Sequence, residues 1–217
     1  MFAIITVFLA SFFVALSGAL MPGPLLMVTI SESPRRGFMA GPLLIVGHSI
    51  LEGIFVLSIL LGLSPFLKGF VLFELIAILG AGMLLYMARG MLKGLPYLSL
   101  TSGNHRSPPR SLVLKGAIVS LANPYWSLWW VTVGLSYILW SMKYGFWGWV
   151  SFFFGHISAD FLWYSAISLT VSRGVKILTD KIYRRIVFLC ALFLVAFAFY
   201  FLYAATSNLY HFFTERV

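Results

Sequence analysis

Charge is what this chain has least of. Only 10% of its 217 residues are Asp, Glu, Lys or Arg, where soluble domains carry about a quarter. With 61% apolar residues, that excludes a soluble globular domain. Acidic side chains are the scarcest, six against fifteen basic ones, for a net charge of +9. The one cysteine, Cys190, lies inside an apolar run, which excludes an intramolecular disulfide and a cysteine metal cluster. No Walker sequence, dinucleotide fingerprint or serine-nucleophile elbow occurs. Neither bound ATP nor any other cofactor is therefore expected, and the chain does not read as an enzyme. The start, apolar from Phe2 onward, has no basic segment and no cleavage-site context. It reads as a retained first span, not a signal peptide.

What is present is a series of long apolar runs. A membrane-spanning helix needs about 20 such residues. Six runs meet that length: 2–30, 41–62, 70–88, 115–140, 145–171 and 186–205. The expected fold is all-α, a polytopic membrane protein with residues 1–92 and 115–217 as two three-helix repeats. A flexible cytoplasmic linker, 93–114, joins them and holds Pro96, Gly103, Pro108 and Pro109. Three spans per repeat is an odd number, so the second repeat enters from the opposite side and the two are inverted. Basic residues cluster between runs, which suits membrane topology better than a nucleic-acid face. Twelve fall on one side: Arg35, Arg36, Arg89, Lys93, Arg106, Arg110, Lys115, Arg173, Lys176, Lys181, Arg184 and Arg185. Only Lys68, Lys143 and Arg216 fall on the other. The first side is expected to be cytoplasmic and both termini extracytoplasmic.

The first and fourth runs are interrupted, at Pro22-Gly23-Pro24 and at Asn123-Pro124. Proline lacks a backbone donor and breaks or kinks a helix. A helix that restarts after a break exposes unpaired amides and a positive dipole end, suited to an anionic group such as an amino acid's carboxylate. Asn123 can bond a ligand or cap the restarted helix. Trp126, Trp129 and Trp130 follow closely. They can wall a cavity, although at least one is expected to face lipid or fill a helix interface.

One pattern occurs twice, 108 residues apart. It is Gly47-His48-Ser49-Ile50-Leu51-Glu52 and Gly155-His156-Ile157-Ser158-Ala159-Asp160, both Gly-His-x-x-x-acid. Glu52 and Asp160 are the acids expected at membrane depth, where burying a charge costs several kcal/mol and usually marks function. The i, i+4 spacing places imidazole and carboxylate on one helix face. Three functional readings fit: proton coupling, carboxylates facing a ligand's ammonium, or a divalent metal held by His48, Glu52, His156 and Asp160. The plainer reading is that the histidines hydrogen-bond between helices and the acids lie near headgroups.

Several of these stretches resemble the lysine-exporter (LysE-type) amino-acid export proteins. They are Leu20-Met21-Pro22-Gly23-Pro24, Ser31, Arg35-Arg36-Gly37, Ala40-Gly41, Gly80-x-Gly82-Met-Leu-Leu-Tyr86, Lys115-Gly116 and Asn123-Pro124. The resemblance covers about residues 5–205. It implies a small secondary transporter of the inner or plasma membrane, exporting amino acids or similar metabolites and driven by a proton or ion gradient. It places functional weight on Pro22, Gly23, Pro24, Asn123 and Pro124. Tyr125 stands where many members have lysine, and many lack the His-acid pairs. Metal and other ion exporters in the wider superfamily keep the metal reading open. Similar transporters often dimerise.

The site expected from residues and resemblance together runs between the two breaks. Pro22, Gly23, Pro24, Asn123, Pro124, Tyr125 and Trp126 would contact substrate, and His48, Glu52, His156 and Asp160 would couple the ion. The alternatives are a divalent-cation exporter using those four residues and, from another class, an intramembrane enzyme or non-transporting scaffold.

Overall fold

Proline sets the first boundaries. In the computed structural model, helix α1 (Phe2–Ala19) stops before the Pro-Gly-Pro segment and α2 (Pro24–Arg36) begins on Pro24. A first-turn proline loses nothing there, because its missing N–H has no helical partner. The same happens in the second half, where α5 (Pro109–Leu121) ends and α6 (Pro124–Trp129) starts on Pro124. Between and after these lie α3 (Ala40–Ser58), α4 (Phe70–Gly94), α7 (Leu135–Met142), α8 (Gly145–Gly174) and α9 (Asp180–Thr214). Wider π turns extend α3 over Ile59–Leu63 and join α6 to α7 over Trp130–Gly134. The structure describes residues 2–21, 23–63, 70–98, 109–174 and 179–214. Pro22, residues 99–108 of the stretch read as the linker (Arg106 among them), and Lys68, Lys176, Glu215 and Arg216 lie outside them.

Among the described residues the chain is helical throughout, with no strand. Three stretches are long and apolar enough to cross a membrane: Phe2–Ala19, Pro24–Gly62 and Asp180–Leu209. The radial pattern explains why. On α3 the inward face is Leu44, Gly47, His48, Glu52 and Val56, while Ile50, Ile54 and Leu57 point outward and are exposed. Polar groups inside and large apolar groups outside invert the pattern of a soluble helix, and a bilayer is the solvent that suits it.

Packing groups the helices in pairs. Helix α1 lies along α8, α3 along α5, and α4 along α9. The α4–α9 seam uses small residues, Ala81 and Ala88 against Ala191 and Ala198, interleaved with Leu84 and Leu194. Small residues let helix backbones approach where burial from lipid supplies little driving force. A second cluster, with Leu25, Leu44, Leu112 and Tyr164, packs α2, α3, α5 and α8 together. A third, with Val7, Val56, Trp130, Ile138 and Phe152, closes the other end. Between these last two clusters the polar residues are buried.

Candidate functional site

The glycine of each Gly-His-x-x-x-acid segment is where its helix touches the other half. A Cβ on Gly47 of α3 would lie 1.7 Å from the Val113 carbonyl oxygen of α5, and one on Gly155 of α8 would lie 2.5 Å from the Phe8 carbonyl oxygen of α1. Only hydrogen fits at either place. This close approach carries the next residue, the histidine, into the middle of the bundle. His48, Glu52, His156 and Asp160 are all buried.

The four side chains meet. His48 Nε2 lies 3.0 Å from Glu52 Oε1 and 3.7 Å from Asp160 Oδ2. His156 Nε2 lies 3.2 Å from the same Glu52 oxygen and 3.6 Å from the same Asp160 oxygen. Nitrogen and oxygen thus alternate around a ring that joins α3 to α8. Around the ring the two halves differ. The indoles of Trp126 and Trp130 donate to Glu52 Oε1 at 3.1 and 2.9 Å. The turn geometry of α6 and the π turn after it sets these two tryptophans four residues apart on one face. His48 Nδ1 lies 2.6 Å from Ser120 Oγ, and that hydroxyl lies 2.7 Å from the Gly116 carbonyl. Glu52 Oε2, Asp160 Oδ2 and His156 Nδ1 are buried with no hydrogen-bond partner among the described residues.

The helix breaks face each other across the same space. A Cβ on Gly23 would lie 3.8 Å from Asn123 Nδ2. The breaks are nevertheless unlike. Asn123 caps its own helix, its Oδ1 accepting from the Tyr125 amide at 3.2 Å. Its Nδ2 is therefore the end turned to Gly23. Helix α2 has no side-chain cap, and its N-cap is Gly23. The uncapped amides of α2 and the Asn123 amide together form the more anion-receptive end of the space.

The space is a cavity of about 310 Å³ lined by Gly23, Asn123, Tyr125, Trp126, His48, Glu52, His156 and Asp160 among others. It thus brings together eight of the sequence-predicted residues; Pro24 is buried at the start of α2 without lining the cavity, and Pro124 begins α6. Trp126, Trp129 and Trp130 all line the cavity, and Trp130 also fills a helix interface, fully buried with Val7, Val56 and Phe152, as expected for at least one of the three. Trp126 and Trp130 serve Glu52, whose buried carboxylate needs donors that an apolar wall otherwise lacks. Sequence reasoning missed Ser120, Tyr164, Phe197 and Tyr200, which also line it. Ser120 carries a usable signal, a small hydroxyl one turn before Asn123. Phe197 and Tyr200 on α9, with Phe201 beside them, carry none, being three of many aromatics in an apolar run. Glu74 lies near the start of α4, the third span. It is buried, accepts from Asn208 Nδ2 at 3.0 Å, and stands apart from the cavity.

A second cavity, of about 620 Å³, lies on the other side of α2 and is lined by Arg35, Arg89, Lys93, Lys115, Glu32 and Tyr183 among others. Glu32 joins Arg36 at 2.8 Å and Lys115 at 2.5 Å, tying the first half to the second.

A family model described as LysE type translocator matches residues 16–205. The chain belongs to the LysE type translocator family. It is accordingly a membrane transporter that moves small molecules such as amino acids or metabolites, and the family gives no support to an enzymatic role. No curated protein sequence and no solved structure matches the chain.

Proposed function

We propose that this LysE type translocator exports amino acids or closely related metabolites across the cytoplasmic membrane in exchange for protons. The observation that carries the reading is the composition of the cavity. One end offers the uncapped α2 amides and Asn123 Nδ2, which suit a carboxylate. The other offers Glu52 and Asp160, which suit an ammonium group or a proton. Its volume of about 310 Å³ lies at the small end of ligand pockets, the size of a single amino acid. Tyr125, Trp126 and Trp129 supply stacking walls between the two ends.

The packing pattern supports an inverted repeat, the arrangement that alternating access uses. Helix α3 of the first half packs on α5 of the second, and α8 of the second half packs on α1 of the first. That exchange is what a two-fold axis in the membrane plane generates. Basic residues from three separate helices, Arg35 of α2, Arg89 and Lys93 of α4 and Lys115 of α5, converge on one cavity. Their convergence at one end favours that end as cytoplasmic and the termini as extracytoplasmic.

The test is export from proteoliposomes with an imposed proton gradient, screening amino acids. Gradient-driven movement of an amino acid, lost in Asp160→Asn and in Glu52→Gln, is the expected result. Movement that ignores the gradient, or that survives both replacements, sinks the coupling role.

A further inference from the structure

Ser120 decides which nitrogen of His48 carries hydrogen. A hydroxyl has one hydrogen to give. The Gly116 carbonyl, 2.7 Å away, can only accept, so the Ser120 hydrogen goes there and Oγ presents lone pairs to His48 Nδ1 at 2.6 Å. The ring therefore donates from Nδ1. Its Nε2 then turns toward Glu52 Oε1 and Asp160 Oδ2, at 3.0 and 3.7 Å. Glu52 Oε1 is itself an acceptor, fixed by two indole N–H groups. With His48 neutral, its Nε2 lone pair and two carboxylates converge in a buried space, an arrangement that a bound cation completes.

We propose that His48, Glu52 and Asp160 form a binding site for one divalent first-row transition-metal ion. Their ligand atoms lie within 4.8 Å of one another. Ligands about 2.0–2.2 Å from a tetrahedral Zn²⁺ stand about 3.3–3.6 Å apart, and His48 Nε2 and Asp160 Oδ2, at 3.7 Å, stand just beyond that range. Two carboxylate atoms, Glu52 Oε2 and Asp160 Oδ2, are buried with no hydrogen bond among the described residues, and so are open to a metal. The set has one imidazole, two carboxylates and no sulfur, which suits Zn²⁺ or Mn²⁺ better than soft ions. The outer partners are those of a metal centre: a ligating histidine donates its second N–H, and a ligating carboxylate is itself held by donors. Ser120 fills the first role, and Trp126 and Trp130 fill the second. His156 has no such support. Its Nδ1 is buried without a hydrogen bond, so it stands beside the centre, its Nε2 within 3.2 Å of Glu52 Oε1. The cavity supplies the open coordination position.

The site is a binding property and holds whether or not export is proton-coupled, so failure of one idea leaves the other standing. The test is calorimetric titration of the untagged, full-length protein in detergent with Zn²⁺, with Mg²⁺ as control. One Zn²⁺ per chain is expected, with binding lost in His48→Gln and in Asp160→Asn. Ser120→Ala should weaken it about 10–100-fold, Ser120→Thr should restore it, and His156→Gln should keep the stoichiometry of one. Co²⁺ should give visible absorption bands that vanish in His48→Gln, a signature that a change in fold stability does not produce. Zn²⁺ binding no tighter than Mg²⁺, or binding that survives His48→Gln, overturns the proposal.

Discussion

The two Gly-His-x-x-x-acid segments are matched in sequence and unlike in place. Glu52 is held by two indoles and touched by both histidines, while Asp160 Oδ2 takes no hydrogen bond among the described residues. His48 is fixed through Ser120, while His156 Nδ1 has no hydrogen-bond partner among the described residues, and its ring lies beside those of Trp129 and Trp130, with ring centroids 4.9 and 5.1 Å apart. Both glycines seat their helix on the opposite half, yet the Gly47 contact is the tighter. A duplicated pattern fixes which groups enter the centre. The neighbours, which are not duplicated, assign them different work. The first copy reads as the rigid, oriented half of the site and the second as the adaptable half.

That contrast can be broken by substitution. The largest effect should come from Glu52→Ala, which strips its partners from the buried His48 and both indoles. Removing one member of a buried ion pair costs about 3–5 kcal/mol, and Asp160→Ala should cost clearly less. Thermal unfolding in detergent measures both, and equal losses would erase the asymmetry. Next is Trp130→Phe, which keeps the ring and deletes one donor to Glu52, at about 1.5–3 kcal/mol for a hydrogen bond to a charged group.

The glycines sharpen the comparison at the level of packing. Gly47→Ala drives a methyl into the Val113 carbonyl and should cost about 1–3 kcal/mol or more. Gly155→Ala should be milder, in the order of their 1.7 and 2.5 Å approaches. Folded yield by size exclusion ranks them, and the reverse order would place the tighter interface in the second half. Smallest is Asn123→Ala, which removes a helix cap worth about 0.5–2 kcal/mol. Its effect on export should exceed its effect on melting, because Asn123 Nδ2 faces the cavity beside Gly23. A variant that lowers the melting point and leaves export intact would make Asn123 a cap alone.

Much of this was legible in the sequence because it depends on local geometry. A proline at the first turn ends one helix and starts the next whatever surrounds it, so the breaks at Gly23-Pro24 and Asn123-Pro124 could be read directly. A histidine and an acid four residues apart share a helix face in any fold. The scarcity of charge excluded a soluble domain without reference to structure. The partner of Glu74 was not legible, because α9 brings Asn208 to it from 134 positions away.

The sequence by itself therefore determined a helical membrane chain, its two interruptions, and a pair of imidazole-carboxylate stripes. Only the tertiary structure decided that the stripes face each other. That requires the rotation of α3 and α8 about their axes, which packing sets through the glycine contacts on α5 and α1. It also decided that Ser120 orients His48 across 72 positions and that Trp126 and Trp130 reach Glu52 across 74 and 78. No local pattern encodes such meetings. They arise because a buried carboxylate and a buried imidazole must find partners, and the folded bundle settles which residues are near enough to serve.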